Sequence, residues 1–143
     1  MPQTWQEPRQ VGSHATWFEE PDLIVLRLSG DVSLEESEIL AREHLDMVQG
    51  RESLFMMVDM TDFGSGTPAG RKVTSEALHR MPVRGVAICR AKLTSKVMAK
   101  LVFAGVKLFR KADAPRFETE YFDDETTARS WIGERRTALS KVA

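Results

Sequence analysis

Hydrophobic and polar positions alternate along the chain in blocks that predict strands separated by helices. The blocks HATWFEE and LIVLRLSG, with Pro21 and Asp22 between them, predict two strands joined by a tight turn. The run SLFMMVDM is apolar almost throughout and has the length of a strand, which is typical of a strand covered on both faces. RGVAICRA and RFETEYF predict two further strands.

Blocks with helical periodicity follow the first two strands and then each later strand. The first, SLEESEILAREHLDMVQG, starts with Ser33 and Glu36 at the spacing of a capping box. The second starts at Pro68 with Thr67 as its N-cap. The third is LTSKVMAKLVFAGVKLFRKA, and the fourth is DDETTARSWIGERR, whose acidic start and basic end suit the helix dipole. Residues predicted to face the core are Leu34, Ala41, Leu45 and Val48 in the first helix and Val73, Ala77 and Met81 in the second.

The resulting order of elements is β-β-α-β-α-β-α-β-α. Strands that alternate with helices after an initial hairpin predict an α/β fold. We expect one sheet of about five strands, mostly parallel in its centre, with about four helices packed on it. A chain of 143 residues fits one domain. We expect that domain to span residues 14–137, between a flexible N-terminal tail (1–13) and a C-terminal tail (138–143).

The composition narrows the chemistry that this domain can carry. Lys and Arg total 20 against 21 Asp and Glu, a net charge of −1 that gives no global attraction to nucleic acid. Cys89 is the only cysteine, and the three histidines lie on different predicted elements without metal-ligand spacing. The N-terminus has no apolar leader, and no run of about 18 apolar residues occurs. We therefore predict a cytoplasmic protein without a metal or a cofactor.

Four segments, in their order along the chain, resemble the STAS domain superfamily and specifically its SpoIIAA-like branch. The resemblance covers residues 14–135 and lies in the order of the segments more than in any one of them. In the last segment a strand and an acidic turn precede Ala128 and, one helical turn later, Trp131, as in the closing pattern of the branch. The segments are LRLSGDVSLEESEILAREHL, LFMMVDMTDF, GVAICRAKLTSKVMAKLVFAGVKLFR and FETEYFDDETTARSWI.

This resemblance implies binding or regulation in place of catalysis. Members of the superfamily include phosphorylation-switched antagonists of anti-sigma factors, and modules of transporters and sensors. The SpoIIAA-like branch is grouped with lipid-exchange domains of the CRAL-TRIO type.

The loop after the third predicted strand is where a phosphorylation switch would lie. Phospho-switch STAS proteins carry Asp-Ser-Ser-Gly at the start of the next helix, and the first serine is the acceptor. Aligned on Asp59 and Gly70, this chain has TPAG in that place, so Pro68 replaces the acceptor hydroxyl. Ser65 and Thr67 remain candidate phosphoacceptors because a helix N-terminus favours phosphate. The alternative is that Thr67 is only an N-cap and Ser65 only a turn residue.

We assign no catalytic residue near this loop. Asp59, Asp62 and His79 are candidates for an acid–base pair, but Asp59 at a strand end is typical of an acceptor of backbone amides. The glycine-rich GSGTPAG lacks the lysine and the spacing of a P-loop. The candidate interaction or phosphoacceptor site therefore consists of Asp59, Asp62, Ser65, Thr67 and Gly70.

The third helix is apolar around almost its whole circumference. We predict that one arc packs on the sheet, formed by Val97, Met98, Leu101, Val102, Gly105, Leu108 and Phe109. The opposite face is basic but contains Phe103, with Ala99 and Val106 close beside it. A helix of this kind is normally covered on a second side, by another helix, a second copy, an apolar ligand or a membrane surface. The candidate interface residues are Lys96, Lys100, Phe103, Val106 and Lys107.

Two binding functions follow, with an enzyme as the third alternative. The first is a regulatory or protein-interaction module, with a protein partner or self-association, that works through the loop and the exposed side of the third helix. The second is a carrier or sensor of a small apolar, lipid-like ligand. Its cavity would be adaptable because thioethers fill irregular space; the methionines that could line it, or simply fill the core, are Met56, Met57, Met60, Met81 and Met98.

Overall fold

The computed structural model describes residues 7–109 and 117–142, with the side chains of 7–106 and 117–140. The described chain forms one mixed sheet and four helices. The strands are β1 (Arg9–Val11), β2 (His14–Glu19), β3 (Leu23–Val32), β4 (Leu54–Gly66), β5 (Val83–Cys89) and β6 (Glu118–Phe122). The helices are α1 (Leu34–Met47), α2 (Pro68–Arg80), α3 (Leu93–Phe109) and α4 (Glu125–Val142).

The six strands lie side by side in chain order. β1 pairs antiparallel with β2, and β2 pairs antiparallel with β3, whereas β3, β4, β5 and β6 are parallel to one another. Each helix from α1 to α3 connects two adjacent parallel strands in the same direction, so right-handed crossovers bring all three to one face of the sheet. The α4 helix follows the last strand and packs on the other face. The predicted α/β fold with an N-terminal hairpin is confirmed.

The sheet and the last helix extend into both predicted tails. Residues 9–11 form β1, which pairs with β2 from Arg9↔Thr16 to Val11↔His14 and buries Val11. At the other end α4 continues to Val142, and Leu139 packs against the core beneath that helix. The limit expected at residues 13/14 lies between β1 and β2, and the limit expected at 137/138 lies within α4; the extent of the domain stays a prediction. Residues 1–6 lie outside the described chain.

Two hydrophobic cores lie on opposite faces of the sheet. The front core contains the inward side chains of α1, α2 and α3, among them Leu40, Leu78 and Val106. The back core joins α4 to the sheet through Ala128 and Ile132. Alternate residues of β4 from Leu54 to Val58 point to the two faces, which explains why this part of the strand has no polar position.

The predicted loop after the apolar run of β4 is wrong, because the strand continues to Gly66. Its pairing with β5 ends at Asp59↔Cys89, but its pairing with β3 continues to Val32↔Gly66. The polar residues that suggested a loop thus form a two-stranded extension with the end of β3. Register shifts interrupt the β3–β4 ladder after Arg27 and after Gly30.

The predicted inward face of α3 is also wrong in part. Val97 and Leu101 are 52 % and 49 % exposed, and Leu93 is 79 % exposed. Among the described side chains of α3, the buried ones are Ser95, Ala99 and Val106, and the last two come from the side that we predicted to face away from the sheet. Because both sides of α3 are apolar, periodicity alone does not distinguish them.

Helix α1 likewise differs from its predicted core stripe. Leu34 is 40 % exposed and Val48 is buried as predicted, while the buried positions within the helix are Ser37, Leu40, His44 and Met47. Its predicted start is confirmed: the Glu36 amide donates to Ser33 Oγ at 3.0 Å, and the Ser33 amide donates to Glu36 Oε1 at 2.9 Å. Polar side chains on the buried face of α1 explain why hydrophobicity alone misplaced the stripe.

Candidate functional site

An apolar cavity of about 140 Å³ lies on the front of the sheet, between β3, β4 and the three helices α1, α2 and α3. It is partly open to solvent. The strands contribute side chains such as Leu26, Met56 and Met60, and the helices contribute side chains such as Ala77 and Val102. A dry cavity of about 150 Å³ is large enough to hold a benzene molecule, so this one has room for a single ring or a short branched alkyl group.

Close contacts between small residues hold the three helices around this cavity. The Ser75 hydroxyl of α2 donates to the Val102 carbonyl of α3 at 2.7 Å. A Cβ atom built on Gly105 would lie only 2.6 Å from Ser75 Oγ, so this glycine permits the approach of the two helices. Gly70 of α2 likewise lies against Ser37 of α1. The helices meet at these points and leave the space between them and the sheet unfilled.

His44 is the ionisable group most deeply set in the cavity wall. Its Nε2 lies 2.9 Å from Thr16 Oγ1, whose hydroxyl is 2.7 Å from the Val25 carbonyl. The Thr16 proton goes to that carbonyl, since a carbonyl oxygen can only accept, and Nε2 of His44 is therefore the donor to Thr16. Burial lowers the pKa of His44 to about 4, so the ring is neutral near pH 7.

Arg71 is the single charged residue of the wall, and no carboxylate lines the cavity. The Arg71 side chain is half-buried, and its guanidinium makes a long contact of 3.5 Å with the Gly66 carbonyl and one of 3.9 Å with Met98 Sδ. Gly66, Arg71 and Met98 form what we call the cavity rim. Among the described residues, no carboxylate forms an ion pair with Arg71 within 4.0 Å.

The residues of the predicted loop site lie in different places in the structure. Gly70 lines the front cavity, whereas Asp59 belongs to a small depression on the back that also contains Cys89. The Asp59 carboxylate accepts from the Thr61 amide at 3.0 Å and the Thr61 hydroxyl at 2.6 Å. Asp62 is exposed on β4 opposite Ser29. These residues therefore do not form one constellation.

Both candidate phosphoacceptors have structural partners. Ser65 donates to Asp31 Oδ1 from its amide at 2.9 Å and from its hydroxyl at 3.1 Å. Thr67 Oγ1 accepts from the Gly70 amide at 2.9 Å, and Pro68 occupies the first turn, so the predicted N-cap of α2 is confirmed. Whether either hydroxyl is phosphorylated stays a prediction.

Only some residues of the predicted interface on α3 are exposed. Lys100 is exposed, and the Lys96 ammonium lies 5.6 Å from the centre of the Tyr121 ring. Val106 is only 2 % exposed, and Phe103 is half-buried with its ring centre 5.7 Å from that of Phe117. These two apolar side chains therefore pack inward. The side chain of Lys107 lies outside the described residues.

The back of the sheet offers no activated nucleophile at Cys89. Burial, reinforced by the Asp59 carboxylate, raises the pKa of this thiol to about 11. A thiol with that pKa stays protonated and unreactive near pH 7.

Residues 7–109 and 117–142 contain neither a cluster of metal-ligating side chains nor a helix that could span a membrane. No group of three or more His, Cys, Asp or Glu side chains there is placed to hold a metal ion. Nor does that part of the chain contain a helix whose length and hydropathy would let it span a membrane.

The profile of the SpoIIAA-like family matches residues 23–133, from β3 into α4. The chain belongs to the SpoIIAA-like family. An uncharacterised protein of Shewanella loihica with a SpoIIAA-like fold superimposes with a TM-score of 0.60 at 14 % identity, over 83 % of this chain and 91 % of the other. The unphosphorylated anti-sigma factor antagonist SpoIIAA gives a TM-score of 0.48 at 12 % identity, over 86 % and 98 % of the two chains. No curated protein matches the sequence significantly.

Within this SpoIIAA-like fold, His44 and Arg71 are the ionisable residues of the cavity wall, and neither was predicted to line a cavity. One signal was available for His44, since it lies four residues before Val48, a predicted core position of α1. Arg71 gave no signal, because an arginine in the first turns of a helix is ordinarily solvated.

Proposed function

We propose that this protein is a non-enzymatic, ligand-responsive SpoIIAA-like module that binds a small apolar molecule in the cavity beneath α1, α2 and α3. The observation that carries the proposal is the cavity itself, because well-packed interiors leave few voids larger than a water molecule. Met56, Met60 and Met98 in its wall suit an adaptable site, since thioether side chains follow the shape of a ligand.

A regulatory role follows from where the ligand would sit. It would contact three helices and two strands at once, so its binding free energy would stabilise their mutual packing. The neutral His44 and the Thr16 hydroxyl, which donates to a carbonyl, supply no nucleophile–base pair. Binding without chemistry is therefore the function that these groups support.

Native mass spectrometry of freshly purified protein tests this proposal. We expect a retained small apolar mass in the wild-type protein and its loss in Ala77→Leu, which fills the cavity from α2. Ala69→Leu is the matched control, because Ala69 is exposed on the same helix. A wild-type protein that neither retains such a mass nor binds added toluene would overturn the proposal.

A second candidate function is a protein-interaction module that uses the outward face of α3. Leu93, Val97 and Leu101 form an exposed apolar stripe there, next to Lys96 and Lys100. From Arg90 to Phe109 the sequence contains no Asp or Glu. The partner that this charge pattern fits is a protein with an apolar patch and an acidic rim.

Binding assays with Val97→Glu and Lys100→Glu test this second candidate. Both changes should weaken the binding of a purified partner protein, whereas Lys72→Glu on α2 should leave that binding unchanged. If the wild-type protein instead dimerises through α3, the partner of this face is a second copy. If it sediments with anionic vesicles, the partner is a membrane surface. Either result would contradict an acidic protein partner.

A further inference from the structure

The residues of the cavity rim indicate which polar group the ligand has. Arg71 brings a full positive charge to the edge of a cavity that has no carboxylate in its wall. Its contacts with the Gly66 carbonyl and Met98 Sδ are long, at 3.5 and 3.9 Å. A half-buried guanidinium usually has a carboxylate or several acceptors close by, because its five N–H groups need partners.

The first turn of α2 adds to the positive potential at the same place. The helix begins at Pro68, three residues before Arg71, and its first turn has no acidic residue. The partial positive charge of a helix N-terminus extends over that turn. An anion at the rim would therefore meet both the guanidinium and the favourable end of the helix dipole.

We propose that the ligand is a small apolar carboxylate, whose ring or alkyl chain fills the cavity and whose carboxylate pairs with Arg71. This inference rests on the proposed function, since it assigns the polar end of the molecule that the cavity binds. A planar guanidinium matches a carboxylate with two parallel N–H···O bonds, which a point charge does not provide. The cavity volume limits the apolar part to about the size of one benzene ring.

Neutral His44 fits the same assignment. It lies in the wall of the cavity and carries no charge at neutral pH, so it neither competes with Arg71 for the carboxylate nor requires a counter-ion. The site thus has an apolar interior and a single cationic residue at its edge, an arrangement that orients an amphipathic acid in one direction.

Isothermal titration with benzoate, benzyl alcohol, toluene and phenylphosphonate tests the inference. Benzoate should bind the wild-type protein at least 10-fold more tightly than benzyl alcohol, since a charge-assisted pair is worth about 1.5 kcal/mol or more. Arg71→Gln should remove this preference, while the variant still binds toluene. Arg71→Lys should keep part of it, and Lys72→Gln, a change at the exposed neighbour, should keep all of it.

The outcomes separate this inference from the proposed function. Equal binding of benzoate and benzyl alcohol, or a preference that survives in Arg71→Gln, overturns the carboxylate assignment while ligand binding stands. Tighter binding of phenylphosphonate than of benzoate overturns it in favour of a phosphoryl group. If none of the four probes binds, the carboxylate assignment fails, and the proposed function fails with it when the purified protein also retains no small apolar mass. Urea unfolding of each variant confirms that a lost preference does not reflect a lost fold.

Discussion

Nε2 of His44, on α1, donates a hydrogen bond to Oγ1 of Thr16, on β2, across 2.9 Å in the front core. Burial of the ring lowers the pKa of His44 to about 4, against about 6.5 in an unfolded chain, and keeps the ring neutral near pH 7. Between these two values the unfolded state binds a proton that the folded state does not bind. The stability of the fold therefore falls as the pH decreases from about 6.5 to about 4.

The first prediction is that His44 steepens the pH dependence of unfolding in this window. One proton contributes a slope of at most about 1.4 kcal/mol per pH unit. In His44→Gln, whose amide can still donate to Thr16, that contribution should disappear. His79→Gln is the control, because His79 is exposed on α2. Urea unfolding at several pH values gives the slopes, and equal slopes in wild type and His44→Gln would contradict the assignment.

The second prediction concerns the contact between α2 and α3. Alanine in place of Gly105 would put a Cβ atom 2.6 Å from Ser75 Oγ, and the helices would have to separate. We expect Gly105→Ala to destabilise the fold by about 1–3 kcal/mol, although alanine is otherwise the better helix former. Gly133→Ala in α4 is the matched control, since no atom lies within 4 Å of its Cβ position. That variant should be stabilised by up to about 1 kcal/mol in the same urea titration. A stabilised Gly105→Ala would show that the helices do not touch there.

The third prediction identifies the side of α3 that packs on the sheet. Val106→Ala should cost about 2 kcal/mol because it removes two buried methyl groups. Leu101→Ala removes more carbon atoms but should change the free energy of unfolding by less than about 0.5 kcal/mol, since Leu101 is 49 % exposed. If Leu101→Ala lowers the free energy of unfolding more than Val106→Ala does, the face predicted from the sequence is the one that packs on the sheet.

The fourth prediction concerns phosphorylation of the β3–β4 extension. A negative charge at Ser65 would lie beside the Asp31 carboxylate, which now accepts from the Ser65 amide and hydroxyl. Ser65→Glu should therefore be less stable than its neutral counterpart Ser65→Gln by about 0.5–1 kcal/mol. In an Asp31→Asn background, thermal unfolding should show no such difference. If the difference persists there, the repulsion comes from another group.

Local sequence signals predicted the order of the elements and several of their ends. The Ser33–Glu36 capping box and the Thr67–Pro68 start of α2 are determined by residues within one helical turn, and both are confirmed. The β4 extension was missed because its small polar residues are held by pairing with β3, a contact that is distant in sequence. β1 was missed because a three-residue strand with one buried side chain, Val11, shows no periodicity.

The cavity and its rim could not be read from the sequence for a different reason. A void arises where the helices are held apart from the sheet by their own contacts, here those of Ser75 with Val102 and of Gly70 with Ser37. The methionines that line it have the same pattern as methionines that fill a core. Only the packing distinguishes the two.

A crystal structure of the protein pressurised with xenon tests the central claim most directly, because xenon enters dry apolar cavities of this size. We predict xenon density between Met56, Met60 and Val102 in the wild-type protein, and none in Ala77→Leu. Side chains that close this space, or xenon bound only elsewhere, would contradict a ligand site beneath the three helices.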